Sequence, residues 1–182
     1  MNYYGGKELA ASFRTVRKNT IQIAEDIPES KYDFTAAPDT RTVAQTLAHI
    51  AVGPGFQLHV HTNRIDDLSA VNFLDLFQKF TAEETKPRTK AEIAALLKSE
   101  GERFATYLEG LNESFLAETV KMRPPVQPPT KSRFEMLLGS KEHEMHHRAQ
   151  LMVMQRMMGL VPHLTRQMQE RMAQASASQA GR

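Results

Sequence analysis

The sequence has no cysteine. That excludes a disulfide framework, a thiolate nucleophile and any zinc site built on sulfur, so a bound metal would have to rest on histidine and carboxylate. It has no unbroken run of about 18 apolar residues, the length that a spanning helix needs. Its first residues, MNYYGGKELAASFRTVRKN, lack the apolar core and small-residue cleavage site of an export signal. It has little net charge: 23 basic and 21 acidic residues leave a formal +2, with no basic stripe to follow a phosphate backbone. Sustained alternation of apolar and polar residues is missing, so no strand is predicted, and no internal repeat is visible. Together these absences predict a soluble, cytoplasmic protein that binds neither nucleic acid nor membrane.

What is present is helical periodicity. With 182 residues, 41% of them hydrophobic, the chain has material for one domain with a sizeable core. Leu9, Phe13, Val16 and Ile23 put one apolar face on a first helix from about Lys7 to Glu25. After a polar loop, with an N-cap expected at Asp39 or Thr40, Val43, Leu47, Ile50 and Ala51 mark a second helix. It runs on to about Asn63 if Gly53-Pro54-Gly55 kinks it instead of ending it, and it carries His49. DDLSAVNFLDLFQKF reads as a short helix capped by Ser69, and a polar link follows to Pro87.

The capping box Thr89–Glu92 opens a third helix that Gly110 stops, and the box Ser132–Glu135 opens a fourth that reaches Gly159. Between these two, VKMRPPVQPPTK is too rich in proline for a helix and is expected to lie extended over the surface. Residues 1–160 are thus expected to form the bundle, and residues 161–182 an amphipathic segment ending in a disordered SASQAGR tail. The long connections on either side of the third helix leave an order other than up-down-up-down open.

The fourth helix carries KEHEMHHRAQ, in which His143, Glu144 and His147 spell H-E-x-x-H. His143 and His147 lie one turn apart and about 40° apart in rotation, close enough for both imidazoles to reach one cation. His146, about 60° to the other side of His143, is the alternative second ligand. A single histidine on an apolar stripe is usually a core residue bonded to a carbonyl, whereas two stacked ones leave several nitrogens for a cation to satisfy. The only histidine inside another predicted core helix is His49, the natural third ligand; His59, His61 and His163 are expected at the surface or at the start of the tail. Three imidazoles leave positions open for water or substrate, as in a reactive site. A peptidase is disfavoured. No edge strand is predicted to hold a peptide, Gln150 and Val153 stand where H-x-x-G-x-x-H needs Gly and His, and Glu170 is the only downstream acid. Glu144 and Arg148 are nearby polar residues expected on a solvated face. Phe134, Leu138, Met145 and Met152 form a second apolar stripe. With five methionines between Met145 and Met158, it suits a central helix or one shared with a second copy, which points toward a homodimer.

TVAQTLAHIA, Thr42 to Ala51, and EHEMHHRAQL, Glu142 to Leu151, resemble the two signatures of the DinB/YfiT-like superfamily of metalloenzymes, and IPESKYDFTAAPDTRTV is similar to that family's run into its second helix. The resemblance covers about residues 1–160, with Ala149 where the family often has glycine. It implies an all-α, up-down-down-up four-helix bundle, often dimeric, with a divalent metal on His49, His143 and His147. Relatives in that family include thiol-dependent S-transferases and a thiol-dependent isomerase that use bacillithiol, mycothiol or glutathione, and DNA binding is not implied. The expectation is therefore a metal-dependent enzyme, zinc or nickel being the metals that suit three imidazoles. It would transfer a low-molecular-weight thiol to a small-molecule substrate. The alternatives are a hydrolase with the same site, or a non-catalytic dimeric bundle that binds metal or nothing.

Overall fold

A computed structural model of the chain describes residues 4–180. It is mostly helical. In chain order the elements are α1 (Gly6–Asp26), α2 (Val43–Val52), α3 (Pro54–Thr62), α4 (Phe73–Thr85), α5 (Lys90–Glu109), α6 (Glu113–Ala117), β1 (Thr119–Lys121), β2 (Thr130–Ser132), α7 (Arg133–Met157) and α8 (His163–Ala180). Among the described residues no helix is long and apolar enough to cross a membrane.

The helices start where the sequence supplies an acceptor for the unpaired N–H groups of a first turn. Thr42, not Asp39 or Thr40, is the N-cap of α2, because Gln45 three residues on completes a reciprocal box with it. The boxes at Thr89–Glu92 and Ser132–Glu135 open α5 and α7 as their spacing predicts. Asn72, rather than Ser69, caps α4, whereas Asp67 takes the Ser69 N–H in the short turn before it. Gly53 keeps right-handed helical dihedrals and Pro54 opens α3, so the chain bends there without leaving the helical path. Gly159, at φ +80°, ends α7 in the left-handed conformation that lets the Leu160 N–H donate to the Gln155 carbonyl at 2.8 Å.

Two expectations need correction. The proline-rich stretch is the loop of a hairpin, with a turn at Pro124 and Pro125 and bends at 127–129, and is not extended throughout; its flanks Thr119–Lys121 and Thr130–Ser132 form a small antiparallel ladder. Period-2 patterning is unreadable in strands of three residues. The segment after Pro162 is a helix throughout, including SASQA, where a disordered end was expected.

Helices α1, α2 with α3, α5 and α7 pack around two apolar clusters. Ile23, Leu47, Ile50, Leu97, Leu151 and Met154 belong to one, and Leu9, Phe13, Leu58, Phe104, Leu108 and Leu137 to the other. A polar layer lies between them. Arg17 on α1 donates through Nε to both oxygens of Glu144 on α7, at 3.0 and 3.1 Å. Its Nη1 donates to the Leu97 carbonyl on α5 at 2.8 Å, and its Nη2 to the Ile50 carbonyl on α2 at 3.1 Å. The Thr20 hydroxyl donates to Glu144 Oε1 at 2.7 Å. Arg17 and Glu144 are 3% and 1% exposed, so their charges are satisfied almost wholly by protein. Gly101 on α5 makes room for this layer, since a Cβ there would come within 2.8 Å of the Arg17 side chain.

A second buried knot holds α3 against α7. Arg133 Nη1 donates to His61 Nδ1 at 3.0 Å, and Arg133 Nε donates to Glu118 at 2.9 Å. His61 is therefore buried, at 1% exposure, and not the surface residue expected, whereas His59 is exposed.

Breaking the polar layer from one side strands a buried charge. Arg17→Met is expected to lower the unfolding free energy by about 3–5 kcal/mol, and Arg17→Met/Glu144→Leu to recover most of the loss; urea unfolding of both variants measures this. The His61 knot gives stability a pH dependence. Burial, and then the Arg133 charge, push the His61 imidazole down to about 4. The unfolded chain therefore takes up a proton near pH 6.5 that the folded chain refuses. Stability should be full above that pH and fall by up to about 3 kcal/mol as pH drops toward 4. His61→Phe should flatten the slope in unfolding curves recorded across that window.

Candidate metal centre

Three histidines from two helices meet at one point. His49 lies in the last turn of α2, and His143 and His147 lie one turn apart on α7. His49 Nε2 is 3.0 Å from His143 Nε2, and His147 Nε2 is 3.2 Å from the same atom. One ligand atom from each ring lies within 4.8 Å of the others. His146 is not part of the group; it is exposed, with its Nε2 3.2 Å from the Gln150 amide nitrogen.

The outward nitrogens of two rings are already held. His49 Nδ1 donates to Glu84 Oε2 at 2.8 Å, and His147 Nδ1 donates to Gln150 Oε1 at 2.8 Å. With the protons there, the Nε2 lone pairs of both rings point at the common centre. His143 Nε2 can supply a hydrogen to only one of its two neighbours, so at least one lone pair is left facing nitrogen. Partial burial also keeps these rings neutral. His143 is pushed down to about 4 by burial and then by the neighbouring imidazoles, and His49 and His147 are held below the ordinary value, first by burial. Three neutral, converging nitrogen donors are the donor set for a divalent cation, and the residues fit one.

Glu84 was not found from the sequence. It lies in the last turn of α4, where Oε2 holds His49 and Oε1 accepts from Arg41 Nε. No spacing rule points from an acid on a solvent-facing helix to a histidine 35 residues away. Glu144 was found but misplaced. The sequence reading put it on a solvated face, whereas it is buried and bonded to Arg17 and Thr20. It shares the inward stripe of Leu137, Ser140, His147 and Leu151, a step of three or four residues each time. Arg148 is half-buried beside Glu144 and His163, and His163 is buried on Asn19 instead of opening a free tail.

Two clefts adjoin the three rings. One, of about 470 Å³, runs past His49 and His143 between α4 and α7, with Phe56, Phe77 and Phe80 in its walls. The other, of about 600 Å³, reaches His147 from the side of Asp39, Thr40 and Val153. Arg41 and Glu84 border both.

The sequence matches the family model of the DinB superfamily over residues 12–151. No curated protein matches it. Among solved structures it is similar to a DinB-like protein, YjoA, from Bacillus subtilis, with 22% identity over 84% of this chain and 92% of that one and a TM-score of 0.62. It is also similar to YfiT from Bacillus subtilis, described as a probable metal-dependent hydrolase with an unusual four-helix bundle topology. There the identity is 16%, over 88% of this chain and 91% of that one, with a TM-score of 0.67. A Streptococcus pneumoniae protein matches at 16% identity, 86% and 93% coverage and a TM-score of 0.65. At these identities the likeness shows the fold.

Glu84 should set the basicity and aim of His49. Glu84→Gln is expected to weaken divalent-ion binding about tenfold to a hundredfold, while unfolding in the presence of chelator stays close to that of the parent. Competition with a chromophoric chelator reads the first quantity and urea unfolding the second.

Proposed function

The chain belongs to the DinB superfamily, and from that premise we propose that it is a divalent-metal-dependent enzyme whose His49, His143 and His147 hold the ion and whose reaction transfers a small thiol to an electrophile. The observation that carries the metal is the convergence of three Nε2 atoms, two of them with their outward nitrogens already bonded. A zinc or nickel ion bound there would supply Lewis acidity, lowering the pKa of a thiol or water beside it.

Two features favour thiol transfer over hydrolysis. Two clefts meet at the three rings, giving room for two reactants. Hydrolysis assisted by a carboxylate would also need one free to take the proton of its water. Glu144 is locked to Arg17, and both oxygens of Glu84 are taken, so neither carboxylate is free for that role. The second reading, a hydrolase with the same ligands, draws on the description of YfiT as a probable metal-dependent hydrolase.

The reading includes the up-down-down-up order. What supports it is that Lys98 of α5 reaches Glu25 near the end of α1, whereas Leu108 lies against Gly6 at its start. Along α7, Lys141 meets Ser12 and Glu144 meets Thr20, so both helices advance together. It also includes residues 1–160 as the bundle, residues 161–182 as its appendage, and a cytoplasmic homodimer. The exposed Met145, Val153 and Met157 on α7 and Met168 and Met172 on α8 support the dimer.

Protein purified without chelator is expected to carry about one zinc or nickel ion per chain, and His49→Ala and His143→Ala less than about a tenth of one. A panel of low-molecular-weight thiols with electrophiles should then show thiol consumption that stops on chelation and returns with metal. Ester or amide cleavage without thiol would replace transfer by hydrolysis. An ion-free parent protein would overturn both.

A further inference from the structure

Arg41 borders both clefts beside the three imidazoles, and much of it is unused. Its Nε donates to Glu84 Oε1, but among the described residues neither Nη1 nor Nη2 has a hydrogen-bond partner. The side chain is 42% exposed, so those groups are open to a ligand. The charges nearby do not cancel. Glu84 and Arg41 offset each other, and three neutral imidazoles leave the charge of a divalent ion uncompensated.

The adjoining cleft of about 470 Å³ is walled by Phe56, Phe77 and Phe80. Its other cation is Lys131. Of its remaining acids, Glu135 is committed to the Ser132 cap and Glu142 is solvent-exposed. A planar guanidinium with free N–H groups next to aromatic walls matches a planar anion that carries an apolar body.

We propose that Arg41 is the specificity-determining residue of this site, and that it fixes the carboxylate of a small aromatic or branched carboxylic acid whose apolar part lies against Phe56 and Phe80. The inference rests on the proposed function for the reaction that follows, but not for the binding of the acid. Arg41 holds the acid by two N–H···O bonds, keeps its Nε on Glu84, and so leaves His49 in place. A neutral isostere forfeits the charge-assisted bonds and keeps only the aromatic contact.

The test is calorimetric titration of phenylacetate and phenylacetamide into the full chain, metal-loaded and metal-free, as the parent, Arg41→Met and Arg41→Lys. The parent is expected to bind the acid about tenfold to a hundredfold tighter than the amide in both forms. Arg41→Met should bring the two within about twofold, and Arg41→Lys, which retains the charge but not the fork, should keep part of the preference. Metal content measured on each sample separates the two claims. If the parent holds no ion but still prefers the acid, the metal reading fails and this one stands. If the parent binds acid and amide alike, this inference is overturned whatever the metal content. It is overturned as well if Arg41→Met keeps the full preference, because the acid is then held without Arg41.

Discussion

The Arg17–Glu144 pair is the constraint around which the bundle is arranged. Four helices contribute to it: α1 the guanidinium and a hydroxyl, α7 the carboxylate, α2 and α5 one carbonyl each. An apolar core tolerates rotation and sliding of a helix as long as volume is conserved. A buried charge does not, because a misplaced carboxylate or guanidinium costs several kcal/mol. The two apolar clusters provide most of the favourable burial. The layer between them sets which way each helix faces.

That orientation reaches the metal centre through α7. Glu144 follows His143 directly and precedes His147 by three residues, so turning Glu144 toward α1 turns both imidazoles toward α2. The Ile50 carbonyl bonded to Arg17 belongs to the residue after His49. Both helices that carry the three converging histidines are therefore fixed one residue away from them by the same guanidinium.

How much of this was legible follows from the range of each signal. The histidine trio was readable because two members are four residues apart on a long helix and the third was the only histidine expected in another core helix, although His61 proves to be buried on α3 as well. Helix starts were read from the Thr–Glu and Ser–Glu boxes at Thr89 and Ser132, and misread at Thr42, whose box closes on Gln45 and follows two other candidate caps, Asp39 and Thr40. Glu144 was misjudged because an acid normally marks a solvated face, although its step of three and four residues with Ser140, His147 and Leu151 places it on the inward stripe. Arg17 gives the matching signal, one turn after Phe13 and in register with it; a charge on the apolar face of one helix calls for an opposite charge on another. Glu84 and Arg41 carried no such signal, since their roles arise only when α4 and the start of α2 come together in space. The hairpin strands and the buried His61 were invisible for the same reason.

Helix α4 has a different standing from the other elements near the centre. It has no buried residue, and its main packing partner is α2, yet Glu84 and two of the three aromatic rings lining the cleft beside His49 and His143, Phe77 and Phe80, come from it. Substitutions at such exposed positions usually change stability by less than about 0.5 kcal/mol. Exposed residues of α4 beside the cleft can therefore be exchanged while the bundle stays intact. The lining of the cleft and the stability of the bundle then rest on separate parts of one small molecule.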